Sequence, residues 1–196
     1  MLDAAMTLVD REGLEALTMR RLAAQLGVEA MTIYHHVPNK AALLDGLVER
    51  LLTAAAAPLF EDASWKTALR ELAHSWLAAL RAHPNLMPAV LSRPAVTPAT
   101  LRVMDRVMER LARAGFPHER GLAILYSVAG YATGQAVSGT ADPDGPDQTG
   151  VLGAVDLAAY PTLARALRAG SARPADRFDY GLDAMLRGFE ADLDSP

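Results

Sequence analysis

The sequence predicts an all-α protein, and three observations support this fold class. Hydrophobic residues make up 51% of the 196 positions, whereas aromatic residues make up only 6%. Alanine, leucine and arginine dominate while β-branched residues are sparse, and these preferences favour helix over strand. Apolar residues also recur every three or four positions, which is the period of an amphipathic helix. We expect two domains, a small one over residues 1–46 and a larger helical one over 47–196.

The first predicted helices are short and closely spaced. Their spans are about residues 2–13, 19–26, 30–36 and 39–57. Gly27 turns the chain between the second and third helices, and Pro38 ends the third because proline disfavours helical geometry in the residue before it. Asn39 is the predicted N-cap of the fourth helix, which Pro58 ends. No capping residue precedes the first helix, so we expect a few further residues before Met1.

The helices predicted beyond residue 63 are mostly longer. Their spans are about residues 64–82, 98–115, 117–138, 162–169 and 175–193. Ser64 and Thr97 are predicted N-caps, and Gly115 is a predicted C-terminal glycine. The proline-containing segment 83–98 is predicted to hold at most short turns. Residues 139–150 have the Pro, Gly and Asp content of a loop.

Residues 19–36 have the pattern of a helix-turn-helix, in which a glycine turn joins two short helices. Apolar residues of the pair are expected to form a small shared core, namely Leu22, Ala23, Leu26, Val28 and Ile33. The other side chains of the second helix must then point outward or lie at the rim, namely Ala30, Met31, Thr32, Tyr34, His35 and His36. A helix of seven residues is about 10 Å long and about 10–12 Å wide, and it fits the major groove of B-DNA.

The cations near these helices are candidates for phosphate contacts. Arg20 and Arg21 lie at the start of the second helix, and Lys40 lies at the start of the fourth, where the helix dipole also attracts anions. Residues 1–50 nevertheless carry five positive and seven negative side chains, a net charge of −2, and the whole chain carries −4. Affinity for DNA is therefore expected to depend on the placement of a few cations.

The stretch LTMRRLAAQLGVEAMTIYHHVPNKAALLDGLVERL, residues 17–51, resembles the DNA-binding segment of the TetR family of transcriptional regulators. The likeness includes the Tyr-x-His-x-x-Asn-Lys ending. The later stretches RAGF, YPTLARAL and FDYGLDAMLRGFEADL resemble the C-terminal domain of the tetracycline-repressor branch. The resemblance implies a homodimer that places its third helices in the major groove of a palindromic operator, with a helical domain behind them for ligand binding and dimerisation.

The resemblance also implies roles for single residues. Those at bases or adjacent sugars would be Ala30, Met31, Tyr34, His35 and His36, and those near phosphates would be Thr18, Arg20, Thr32 and Lys40. Three features depart from the family pattern. Met19 stands where a hydroxyl often bonds a phosphate, His35 replaces a larger aromatic side chain, and no basic arm precedes the first helix.

Seven side chains of the larger domain are candidates for an apolar ligand pocket, although core packing explains each of them equally well. They are Leu72, Trp76, Met87, Val90, Met104, Met108 and Tyr126. By this resemblance, the places where the tetracycline branch carries a histidine and polar groups for the drug and its magnesium are held by Leu72, Trp76 and either Val90 or Ala89. We therefore expect neither magnesium-assisted tetracycline binding nor another metal or cofactor. The effector is expected to be apolar or amphipathic.

The dimer interface is predicted from the same resemblance. Two helices of each subunit would supply it through Gly130, Thr133 and Gly134 on the first and Leu182, Leu186 and Phe189 on the second. Small residues allow close helix approach, and the alternative is that both helices are simply core.

Two other classes of function compete with a regulator. The sequence has no cysteine, no phosphate-binding loop and no nucleophile or metalloprotease motif, so we do not expect an enzyme. A helical protein-interaction module that only keeps the helix-turn-helix shape is the second alternative. No signal peptide or apolar run of membrane-spanning length is recognisable, and we expect a cytoplasmic protein without membrane contact. The sequence thus predicts a ligand-responsive DNA-binding regulator, and repression is the commoner outcome in the family it resembles.

Overall fold

The computed structural model describes residues 1–56, 64–93, 96–139, 155–168 and 174–193. Within these ranges the chain forms ten α-helices and no strand, which confirms the predicted all-α class. The helices are α1 Leu2–Glu12, α2 Met19–Leu26, α3 Ala30–His36, α4 Lys40–Ala55, α5 Trp65–Ala82, α6 Met87–Ser92, α7 Pro98–Arg113, α8 His118–Gly139, α9 Pro161–Arg168 and α10 Pro174–Leu193. None of these helices is both long and apolar enough to span a bilayer.

Side-chain caps fix the predicted helix starts. The Thr18 hydroxyl accepts a hydrogen bond from the Arg21 backbone N–H at 3.1 Å, and the Asn39 side chain accepts one from Ala42 at 2.9 Å. Ser64 caps α5 in the same way, and Thr97 begins α7 with a reciprocal capping box. Each cap satisfies a backbone donor that has no partner inside its helix, so the chain commits to helix at these points.

Gly27 ends α2 in the left-handed region, with φ 66°. Replacing Gly27 with alanine should lower the free energy of unfolding by about 1–2 kcal/mol, because a Cβ is strained in this conformation. Gly188→Ala is the matched control, since it lies inside α10 where an added methyl would meet nothing within 4 Å. Urea denaturation at one protein concentration compares the two, and an equal loss in both variants would contradict the expectation.

The segment between α5 and α7 differs from its prediction. It holds a 3-10 turn over Pro84–Leu86 and then α6, rather than short turns alone. Pro84 and Pro88 occupy first-turn positions of these elements, where a missing N–H costs no hydrogen bond, so they begin helix instead of preventing it. The break predicted at Pro58 and residues 140–150 of the predicted loop lie outside the described residues, while Gly139 is the last residue of α8.

The chain divides into two compact units, residues 1–137 and 138–196. The predicted boundary between residues 46 and 47 falls inside the first unit. The reason is a single hydrophobic core. It contains buried residues of the helices α1, α2, α3 and α4 together with Leu86 and Ala89 from the segment after α5. As a division of function, the boundary at residue 46 stays a prediction.

Polar contacts join α1 to its surroundings in the first unit. Arg50 of α4 pairs with Asp3, and the hydrogen bond and charge of its guanidinium hold the pKa of that carboxyl below its ordinary value. At the other end of α1, the His83 Nδ1 lies 2.9 Å from an Asp10 carboxylate oxygen. The Asn85 amide donates to the Val9 and Asp10 carbonyl oxygens at 3.1 and 3.0 Å. The C-terminal end of α1 is thus anchored on the segment that follows α5.

Candidate DNA-binding surface and ligand cavity

The helix α3 is held by one buried side chain and presents the others to solvent. Ile33 is 2% exposed, whereas Met31 is 67% exposed. Further exposed side chains of α3 are Thr32, Tyr34, His35 and His36, and Ala30 is half-buried at the rim. This confirms the predicted orientation of the helix. A single buried contact over two turns leaves most of its circumference available to an external surface.

The small core between α2 and α3 is narrower than predicted. Leu22, Ala23 and Ile33 are buried, but Leu26 and Val28 are 36% and 41% exposed. The reason is the turn itself: α2 ends at Leu26, Gly27 redirects the chain, and the Val28 N–H donates back to the Ala23 carbonyl at 3.0 Å. This short closure leaves both side chains on the outer side of the turn.

The cationic side chains near the predicted phosphate contacts differ in how far other groups of the protein already bind them. Arg20 is exposed near the start of α2, and no carboxylate of the described residues pairs with it. Arg21 pairs with Glu12, so its charge is partly compensated. The Lys40 ammonium donates to the Leu14 carbonyl at 3.3 Å. Arg20 therefore has the guanidinium most available to an anion, whereas Lys40 must leave or share a backbone contact.

A cavity of about 390 Å3 lies within the first unit, a size typical of small-molecule pockets. Helices α4, α5, α7 and α8 and the segment after α6 form its wall. The lining residues are Leu52, Ala55, Leu72, Ala73, Trp76, Arg93, Val96, Thr100, Val103, Met104, Leu125, Tyr126, Val128 and Ala129. Most of these are apolar, and none carries a carboxylate or an imidazole. This donor set does not fit the drug–magnesium complex of the tetracycline branch.

Four of the seven predicted pocket residues line this cavity: Leu72, Trp76, Met104 and Tyr126. The other three lie elsewhere. Val90 packs against the N-terminal core, and Met87 is a buried residue at the start of α6. The Met108 side chain packs over Gly121, where an added Cβ would lie 2.9 Å from its methyl carbon.

Several lining residues were missed because each was considered singly. Thr100 and Val103 share a face of α7 with the predicted Met104, and Leu125, Val128 and Ala129 follow one another at helical spacing on α8. The helical period around Met104 and around Tyr126 is the signal that could have found them. Arg93 and Val96 carry no such signal, because they lie outside the helices.

Trp76 connects the cavity wall to α8. Its indole N–H donates to the Thr133 hydroxyl at 2.9 Å, and that hydroxyl donates to the Ala129 carbonyl at 2.8 Å. Thr133 was predicted at the dimer interface, but its side chain is engaged inside the subunit. The Thr133 hydroxyl is thus used within the subunit, and its place at the interface stays a prediction.

The other predicted interface residues differ in their exposure within the single chain. Gly130 and Gly134 are exposed on α8, and a methyl added at either would meet nothing within 4 Å. Leu182 and Leu186 of α10 are buried within the single chain, and their place at a dimer interface stays a prediction. Phe189 is half-buried. The apolar period of α10 marked its inward face, which sequence alone does not distinguish from a face toward a partner.

Comparison with known proteins identifies the family. Residues 1–47 match the family profile "Bacterial regulatory proteins, tetR family", and residues 57–193 match "Tetracyclin repressor-like, C-terminal domain". The chain belongs to the TetR family. This confirms the resemblance and, with it, the predicted class of ligand-responsive DNA-binding repressors.

Individual relatives of this TetR-family chain agree along almost its whole length. It is 34% identical to the tetracycline repressor protein class E of Escherichia coli, over 97% of this chain and 89% of that protein. It is 31% identical to the transcriptional repressor DrrR1 of Streptomyces coeruleorubidus, over 96% of this chain and 75% of that protein. The structure of the Streptomyces coelicolor TetR-family protein ActR in complex with actinorhodin matches with a TM-score of 0.81 at 27% identity, over 99% and 96% of the two chains.

Proposed function

We propose that this TetR-family chain is a homodimeric repressor that leaves an inverted-repeat operator when a mainly apolar molecule fills the cavity. The observation that carries the proposal is the course of α4. Leu43, Leu44 and Leu47 in its first half pack in the core under α2 and α3, while Leu52 and Ala55 near its end line the cavity. One rigid element therefore contacts both the ligand space and the DNA-binding helices.

The coupling works as a two-state equilibrium. A helix of 16 residues is about 24 Å long, so a small tilt at its cavity end displaces α3 at the other end. A ligand that binds better to the tilted state lowers operator affinity by the difference between its two binding free energies. Relief of repression then follows from the ligand's preference between states rather than from its affinity alone.

The contacts to DNA fall into two groups. The residues proposed to read bases or adjacent sugars are Ala30, Met31, Tyr34, His35 and His36. The residues proposed to bind phosphates are Thr18, Arg20, Thr32 and Lys40. The exposure of the α3 edge and the free guanidinium of Arg20 support this division. DNA binding would place the protein with the chromosome in the cytoplasm.

A second subunit is part of the proposal. Gly130 and Gly134 leave an exposed, unobstructed strip on α8, considered by itself, where a partner helix could approach closely. A two-fold symmetric dimer would present two α3 helices to half-sites about one helical turn apart. This spacing is the reason to expect an inverted repeat rather than a single half-site.

Arg20→Gln should weaken binding to all duplexes alike, because a phosphate contact carries no sequence information. The slope of log affinity against log salt should fall by about 1 per subunit. Arg81→Gln is the matched control, since it removes one exposed arginine from α5, which is not part of the helix-turn-helix. Fluorescence anisotropy at several salt concentrations measures both slopes. Equal slopes in Arg20→Gln and wild type would remove Arg20 from the phosphate contacts.

The function itself is tested by selecting duplexes from a randomised pool with the wild-type protein. The proposal expects enrichment of inverted repeats whose half-sites are about one helical turn apart. A helical interaction module would enrich no sequence and show no salt-dependent binding, and that outcome would overturn the proposed function.

A further inference from the structure

The cavity contains one feature that apolar ligand binding leaves unexplained. Among the described lining residues, Arg93 is the charged one, and its side chain is only 24% exposed. Arginine guanidinium groups are rarely buried without a partner, because removing their charge from water is costly. In this chain the partner is Asp45, whose carboxylate forms an ion pair with the Arg93 guanidinium.

Asp45 lies on α4, the helix that joins the cavity to the DNA-binding helices. It follows Leu43 and Leu44 of the N-terminal core and precedes Leu52 by two turns. Arg93 lies directly after α6, outside α4. The ion pair therefore ties α4 to a second segment of the cavity wall, beside the space that a ligand would fill.

A guanidinium has five N–H donors in a planar fork, and the Asp45 bond uses the Nη1 side of it. The lining provides no second carboxylate for the rest of the fork. The fork can bind a carboxylate or sulfonate through two parallel hydrogen bonds, which a neutral ligand cannot supply. The remaining wall, with Trp76 and Met104, suits a fused-ring or aliphatic body.

We propose that the effector is an amphipathic organic anion whose acidic group binds Arg93, competes with Asp45 for it, and so releases α4 from the cavity wall. This inference rests on the proposed function for its effect on DNA. Its chemical part, the preference for an anion, depends only on the cavity. The released Asp45 is half exposed, so water can solvate it once its partner is taken.

A pair of dyes separates charge from shape. 1-Anilinonaphthalene-8-sulfonate is an anion, and N-phenyl-1-naphthylamine has the same ring skeleton without the sulfonate. Fluorescence titration should show that Arg93→Gln weakens binding of the sulfonate dye by about tenfold or more, because the charge-assisted bonds are lost. Binding of the neutral dye should stay within about twofold, and Arg93→Lys should keep part of the preference. Arg81→Gln is the control for loss of one positive charge elsewhere.

Asp45→Asn tests the competition with the opposite sign. Removal of the competing carboxylate should tighten binding of the sulfonate dye by about two- to fivefold. The same variant should bind the selected duplex more weakly in the absence of dye, since α4 has lost its tie to Arg93. If Asp45→Asn weakened binding of the sulfonate dye, the competition would be overturned. If Arg93→Gln also fails to bind the neutral dye, it is misfolded, and the Asp45→Asn result alone then tests the competition for Arg93.

The two proposals fail in different ways. If Arg93→Gln still binds the neutral dye and binds the sulfonate dye as tightly as wild type does, the proposal of an anionic effector is overturned. This holds even if the protein binds the duplex normally. If the wild-type protein binds no selected duplex, the repressor function and the coupling of the cavity to DNA binding are both overturned. This holds even if the protein binds the sulfonate dye and the neutral dye with different affinities. Release of the duplex by the sulfonate dye but not by the neutral dye, in wild type, would support both.

Discussion

Ile33→Ala is expected to lower the free energy of unfolding by about 2–5 kcal/mol, the range for truncating a buried aliphatic side chain. Ile33 is the single buried residue of α3, so truncating it leaves a cavity beside Leu22 and Ala23. The seven-residue helix has no other buried side chain that could fill this space. Urea denaturation followed by circular dichroism measures the loss. Wild type and variant must be compared at one protein concentration, because subunit association shifts apparent stability.

Met31→Ala is the matched variant on the same helix. Its side chain is largely exposed, so stability should stay within about 0.5 kcal/mol of wild type. The discrimination among selected duplexes should instead change by about 1–3 kcal/mol at the base it contacts. If Met31→Ala destabilised the protein as much as Ile33→Ala, the orientation of α3 would be contradicted.

Trp76→Ala is expected to lower the free energy of unfolding by about 3–5 kcal/mol, because a large buried side chain is lost from a wall that already borders empty space. Trp76→Phe separates packing from hydrogen bonding. It keeps most of the ring volume but removes the donor to Thr133, so about 0.5–1.5 kcal/mol should be lost. Thr133 keeps its bond to the Ala129 carbonyl in that variant.

The same denaturation measurement compares both variants with wild type. A loss for Trp76→Phe equal to that for Trp76→Ala would mean that the hydrogen bond, rather than the ring, stabilises the wall. The chain has two tryptophans, so Trp65→Phe leaves Trp76 as the sole indole emitter. Its fluorescence then reports directly on molecules entering the cavity.

Much of the fold could be predicted because its signals are local. Thr18, Asn39, Ser64 and Thr97 cap helices through bonds to residues three positions away, and such bonds can be read from the sequence. Gly27 acts through its own backbone angle. The exposed edge of α3 was predictable for a similar reason. When a single side chain anchors a short helix, that side must face the core and the opposite edge faces solvent.

The errors concern relations between distant segments. Leu26 and Val28 are apolar residues that were expected in the shared core, but spacing alone does not say which face of a helix pair is covered, or by what. Val90 and Met108 are apolar as a pocket residue should be, yet each packs against another element. The pairing of Arg93 with Asp45 joins residues 48 positions apart and had no sequence signal at all.

Contact between the exposed edge of α3 and a DNA duplex can be measured by chemical protection. The chain has no cysteine, so Met31→Cys introduces a unique thiol at this edge, and Leu101→Cys introduces one at an exposed site on α7. The rate of thiol alkylation by iodoacetamide should fall severalfold for Met31→Cys when the selected duplex is saturating, and stay unchanged for Leu101→Cys. Unchanged rates for both thiols on a fully bound duplex would contradict DNA binding through α3.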